Sequence, residues 1–147
     1  MLKTLFAGVI LFVIAAVSTA QTAVAPALYV TASDIAAALE ISAAERPGMG
    51  VGSITNGEGY RINLIRRTEA AGAIVHEMGT ELHFITEGAG ILVTGGILVR
   101  PAGGGRASIE QGMARRVTKG DAILIPEGTP HWYSSVEGAV TYLEVRF

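Results

Sequence analysis

The chain of 147 residues has no cysteine and only three histidines, one tryptophan and five prolines. Without cysteine there is no disulfide, no thiolate metal ligand and no thiol nucleophile, so stability rests on packing, hydrogen bonds or a metal held by other side chains. Charge is also sparse: 16% of residues are charged, the net charge is -2, and the basic pairs are Arg66-Arg67 and Arg115-Arg116. That distribution excludes the basic footprint of a nucleic-acid binder. Gly103, Gly104 and Gly105 are not followed by the Lys-Ser/Thr of a phosphate-binding loop, and no repeat of fixed period is present.

A membrane-spanning run is missing as well. Residues 1–20, MLKTLFAGVILFVIAAVSTA, place Lys3 before an apolar run from Leu5 to Val17, then Ser18 and Ala20 at the small-residue positions of a cleavage site. The run is 13 residues long, short of the ~20 that cross a bilayer as a helix. It reads as a secretory signal peptide, which makes the mature protein exported, periplasmic or secreted, with no stable membrane anchor. Ala23-Val24-Ala25 offers a second cut. Cleavage removes Lys3 and leaves the chain one charge more negative.

Half of the residues are apolar, enough for the core of a single domain. In residues 21–54, an N-terminal extension, the stretch VTASDIAAALEISAAERPG predicts a short helix. Ser33 is its N-cap, Asp34 lies in the first turn, Ile35, Leu39 and Ile41 share a face, and Pro47-Gly48 ends it. From Gly50 onward, short runs of Ile, Val, Leu and Tyr between glycine-bearing turns predict an all-β domain. Strands are expected at 60–67, 73–77, 80–87, 90–94, 97–100, 114–118, 121–126, 131–134 and 140–147, with a flexible loop over 100–112.

The stretch VHEMGTELHFITEG, residues 75–88, concentrates ionisable side chains in a strand-like segment. With a period of two, Glu81, His83 and Ile85 share one face and Leu82 and Phe84 the other, so both faces read as buried, one of them polar. His76 precedes Glu81 by a tight turn, and the third histidine, His131, follows GDAILIPEGTP. Imidazoles with one carboxylate form a ligand set for first-row divalent metals that leaves coordination positions open. Glu77, next to His76, points the other way, and Tyr133 alternates inward with His131 as a candidate pocket residue.

These two segments resemble the paired motifs of the cupin superfamily. In the first, His76 stands at the second histidine position, followed by four residues, Glu81, six residues and Gly88, with Ile74 where the family has its first histidine. In the second, Gly120, Pro126, Gly128 and His131 match, and Ser135 replaces the usual asparagine. The resemblance implies that residues 55–147 form a double-stranded β-helix, the jelly-roll cupin barrel, whose motif residues converge on a divalent metal ion: Fe, Mn, Zn or Ni. Because residue 74 is not histidine, two ligand sets follow. One is His76, Glu81 and His131 with His83 behind them; the other, adopted here, adds His83 as the fourth ligand.

Such a barrel implies an enzyme acting on a small oxygen-bearing molecule by dioxygenase, isomerase or lyase chemistry. The alternatives are a non-catalytic ligand-binding cupin and a metal-independent, epimerase-like cupin. The resemblance also implies a homodimer.

Overall fold

The computed structural model describes residues 22–147; the leader read into residues 1–20 lies outside them. The elements are α1 (Ala32–Glu45), β1 (Met49–Gly57), β2 (Tyr60–Arg67), β3 (Glu81–Thr94), β4 (Ile97–Val99), β5 (Ser108–Glu110), β6 (Met113–Thr118), β7 (Ala122–Ile125) and β8 (His131–Arg146). A six-stranded antiparallel sheet runs β1-β2-β8-β3-β6, with β7 also paired to β3, and β4 and β5 form a separate ribbon. This is the expected architecture: mostly β, a jelly roll with one N-terminal helix.

Two long bent strands dominate the barrel. β3 and β8 pair over nearly their whole length, and the register shifts at 85/87, 88/90 and 91/92. Each was expected as two short strands; the bulges let a single strand turn the barrel's corner without ending. Gly88 makes one corner possible. Its φ is +72°, and a Cβ there would sit 2.0 Å from the Ala139 carbonyl oxygen. The core beneath is formed by Ile65, Ile85, Leu92, Val117, Tyr133, Val140 and Tyr142.

Other boundaries moved for physical reasons. β1 escaped the sequence reading because MGVGSITNG looks like turn chemistry. Its glycines instead admit the helix: a Cβ on Gly52 would lie 2.9 Å from Ile35 of α1. The sheet therefore begins at Met49, before residue 55. The helix cap is Thr31, whose hydroxyl accepts from the Asp34 N–H at 3.1 Å, so Ser33 lies inside the helix. Ile41 is exposed, not on the packed face with Ile35 and Leu39. The expected strand 73–77 reduces to one bridge, Ile74 to His131. Part of the expected flexible loop is β5, paired with β4.

The outer face of β3 also departs from expectation. Phe84 is 42% exposed and Leu82 half-buried, so only the polar face of this strand is fully buried.

Candidate metal centre

Strand register builds the site in rows. Arg61 of β2, Arg146 of β8, Glu81 of β3 and Ile125 of β7 are direct partners; one step deeper come Asn63, Glu144, His83 and Ile123, then Ile65, Tyr142 and Ile85. Direct partners project from the same face, so the barrel's interior is ionic near one end and apolar below. Glu81, His83 and His131 are 1%, 2% and 4% exposed.

His76 lies on no strand, yet its segment is tied down at several points. Ile74 and His131 exchange backbone hydrogen bonds of 3.0 and 2.9 Å, and the Gly128 N–H donates to the His76 carbonyl at 2.8 Å. The Gly79 N–H donates to Glu127 Oε2 at 3.0 Å. Thr80 pairs with Phe147 through bonds of 2.7 and 3.0 Å. The Gly128 turn, with φ +72°, thus links both motifs and sets His76 beside His131.

Three imidazoles converge on one carboxylate. His76 Nε2 lies 3.1 Å from Glu81 Oε1, while His83 Nε2 and His131 Nε2 lie 3.2 and 3.3 Å from Oε2. Arg146 also donates to Oε1, through Nε at 2.8 Å and through Nη2. Burial works to raise the Glu81 carboxyl pKa, but hydrogen bonds from His131, His83 and Arg146 outweigh it and hold the group well below the ordinary carboxylate range. Glu81 is therefore a buried anion at neutral pH. The His76 pKa is lowered, chiefly by burial, against the opposing pull of Glu81.

The donor set fits a divalent metal. His131 Nδ1 is 3.0 Å from the Thr129 carbonyl, which can only accept, so Nδ1 carries a proton and Nε2 is the atom turned to Glu81, where it would serve as a metal ligand once it holds no proton of its own. Donor atoms of His76, Glu81 and His131 lie within 4.8 Å of one another, as do those of Glu81, His83 and Glu144. Ligand atoms ~2.1 Å from one ion at tetrahedral or octahedral angles are spaced roughly 3.0–3.4 Å apart, which brackets the observed imidazole–carboxylate separations.

His83 shares Glu81 but groups with Glu144 rather than with His76 and His131, and its role turns on a proton. Its Nδ1 is 3.3 Å from the Tyr133 hydroxyl, which can donate or accept. Donation by Tyr133 leaves the proton on His83 Nε2, facing Glu81; acceptance leaves Nε2 bare for a metal. Burial raises the Tyr133 pKa strongly and pushes Tyr142 up to about 12, so both phenols stay protonated at neutral pH. Tyr142 accepts from Arg67 Nε at 3.0 Å and packs on His83, with ring centroids 4.5 Å apart. Glu77 is exposed.

The sequence reading missed Arg146, Glu144 and Arg61. Arg146 grips Glu81; Glu144 Oε1 accepts from Asn63 at 3.1 Å and from Arg61 Nη2 at 3.3 Å. Their signal was the period-two alternation of Tyr142, Glu144 and Arg146. Behind the histidines an inner cavity touching His83, His131, Tyr133 and Glu144 has about 20 Å³, room for about one water molecule. An open cleft of about 480 Å³ lies on the Arg61 and Arg146 side.

The same fold occurs in KdgF from a Halomonas species: the TM-score is 0.51 at 16% identity, covering 69% of this chain and 81% of that one. It occurs in cobalt-bound HppE in complex with substrate (TM-score 0.55, 15% identity, 70% of this chain and 54% of that one). It also occurs in the polyketide cyclase RemF from Streptomyces resistomycificus (TM-score 0.50, 19% identity, 68% and 65%). The chain spans about half of HppE. These neighbours are cupin-fold proteins, and this chain is a single small domain with the cupin fold. At such identities the likeness is one of fold. No protein-family model and no curated protein sequence matches the chain.

Proposed function

We propose that this chain is an exported cupin enzyme that holds a divalent metal through His76, Glu81, His131 and His83 and acts on a small oxygen-bearing molecule. The observation that carries the reading is the convergence of three imidazole Nε2 atoms on the buried Glu81 carboxylate, with His131 Nδ1 paired to the Thr129 carbonyl. The cupin fold holds iron in HppE, which is solved in an Fe(II) form. Export rests on the sequence of residues 1–20.

When bound, such an ion supplies a Lewis acid that polarises a carbonyl oxygen or lowers the pKa of a water. The chain's own groups prepare the place. Arg146 keeps Glu81 ionised and oriented, Thr129 fixes His131, and the Tyr133 hydroxyl pairs with His83 Nδ1. Half-exposed His76 marks the side open to solvent, its side chain 29% exposed.

The test is metal content and turnover together. Protein purified without chelator should carry stoichiometric metal. Oxygen uptake and product formation over a panel of hydroxy and keto compounds should stop on chelation and return on reloading. Stoichiometric metal with no reaction on any compound would favour the ligand-binding module.

One observation favours a metal-independent cupin with a histidine base: Arg146 and the imidazoles already satisfy Glu81 without an ion. That reading requires activity to survive chelation.

A further inference from the structure

Two guanidiniums stand beside the histidine cluster without being metal ligands. Arg61 and Arg146 occupy directly paired positions on β2 and β8. Both line the open cleft of about 480 Å³, together with Asn56, Tyr60, Met78 and Glu127. Arg146 reaches from that cleft to Glu81, so one side chain belongs to both the cleft and the histidine cluster. Arg61 holds Glu144 through Nη2 at 3.3 Å, while its Nε is buried with no hydrogen-bond partner among the described residues.

Like charges at directly paired positions repel each other. Here the two cations are balanced by Glu81 and Glu144. A divalent ion held by Glu81 would add two positive charges to this balanced set, leaving them in excess beside an open cleft. Guanidinium forks match the paired oxygens of carboxylates and phosphates. The cavity that touches His83 and His131, about 20 Å³, is too small for an organic molecule, whereas the cleft is large enough and meets the cluster through Arg146. Glu127 also lines the cleft, where its carboxylate would disfavour a second anionic group.

We propose that the cleft binds the anionic end of the substrate, a carboxylate or a phosphate, between Arg61 and Arg146, with the rest of the molecule directed at His76, Glu81 and His131. The direction of the remainder rests on the metal reading. The anion site rests on the two arginines that line the cleft, and a bound ion would strengthen it.

Three probes share one six-carbon skeleton: sorbitol is uncharged, gluconate carries a carboxylate, and sorbitol 6-phosphate carries a phosphate. Their binding is measured calorimetrically on zinc-loaded and on chelator-treated protein, with metal stoichiometry determined separately by elemental analysis. At least one anion should bind the loaded wild type about tenfold or more above sorbitol, the size expected of a charge-assisted hydrogen-bond pair. The tighter anion names the source. Arg61→Gln should erase that preference while keeping the metal, and Arg61→Lys should restore part of it. Equal binding of all three probes to the wild type would overturn the inference, as would an anion preference untouched in Arg61→Gln. Loss of metal binding with an Arg61-dependent anion preference intact would overturn the metal reading and leave the anion site standing.

Discussion

Glu81 is the residue on which every other member of the site depends, since His76, His83, His131 and Arg146 all approach its two oxygens. Glu81→Ala or His131→Ala should therefore weaken metal binding by roughly 100-fold or more, beyond the ~10–100-fold typical of outer partners. Exposed Glu77→Ala should leave it unchanged, and equal affinities in a metal titration of all three variants would refute the ligand assignment. Tyr133 gives a finer test. Tyr133→Phe strips the partner from buried His83 Nδ1, which should cost about 1–3 kcal/mol in denaturant unfolding. If His83 is a ligand, metal affinity should also fall about tenfold. A stability loss with unchanged affinity would place His83 behind the ligands.

At the scale of the strand, the barrel's corner leaves no room for a side chain at Gly88. Gly88→Ala puts a Cβ 2.0 Å from the Ala139 carbonyl in a left-handed backbone, whereas Gly59, with φ +77°, has nothing within 4 Å of its Cβ position. Gly59→Ala should cost about 1 kcal/mol, and Gly88→Ala at least ~2 kcal/mol more. Similar unfolding midpoints for the two would contradict the bulged-corner account. Strand scale also explains what could be read beforehand. The motif spacings made His76, Glu81, His83 and His131 legible, because period two and a glycine turn are local properties. Arg146 and Glu144 were not, because an alternation of Leu143 and Val145 with charged residues ordinarily sends the charges outward. Only the pairing of β8 with β2 and β3 reveals that the barrel is inverted here, with charges inside and Ile62, Val145, Leu82 and Leu124 in a row outside.

For the molecule as a whole, the ionic interior couples stability to pH. In the folded state Glu81 lies below its ordinary 4.5, so the stability it contributes is complete above that value and drains away as acid lowers the pH towards the folded-state pKa. His76 lies below its ordinary 6.5, so the unfolded chain takes up a proton first, and stability falls as pH drops through 6.5. Metal-free protein should thus lose stability in two stages from neutral to acid. The gap between wild type and Glu81→Gln should be widest above pH 4.5 and close below it; a gap constant with pH would contradict this assignment. A bound metal would add to the neutral-pH end, by about 2.7 kcal/mol when its free concentration is a hundredfold above Kd. The most direct test of the central claim is a calorimetric titration of chelator-treated protein with Mn(II), Fe(II), Ni(II) and Zn(II) in turn. The structure predicts saturable, stoichiometric binding of at least one of them, lost in Glu81→Ala; folded wild-type protein that binds none of the four would contradict it.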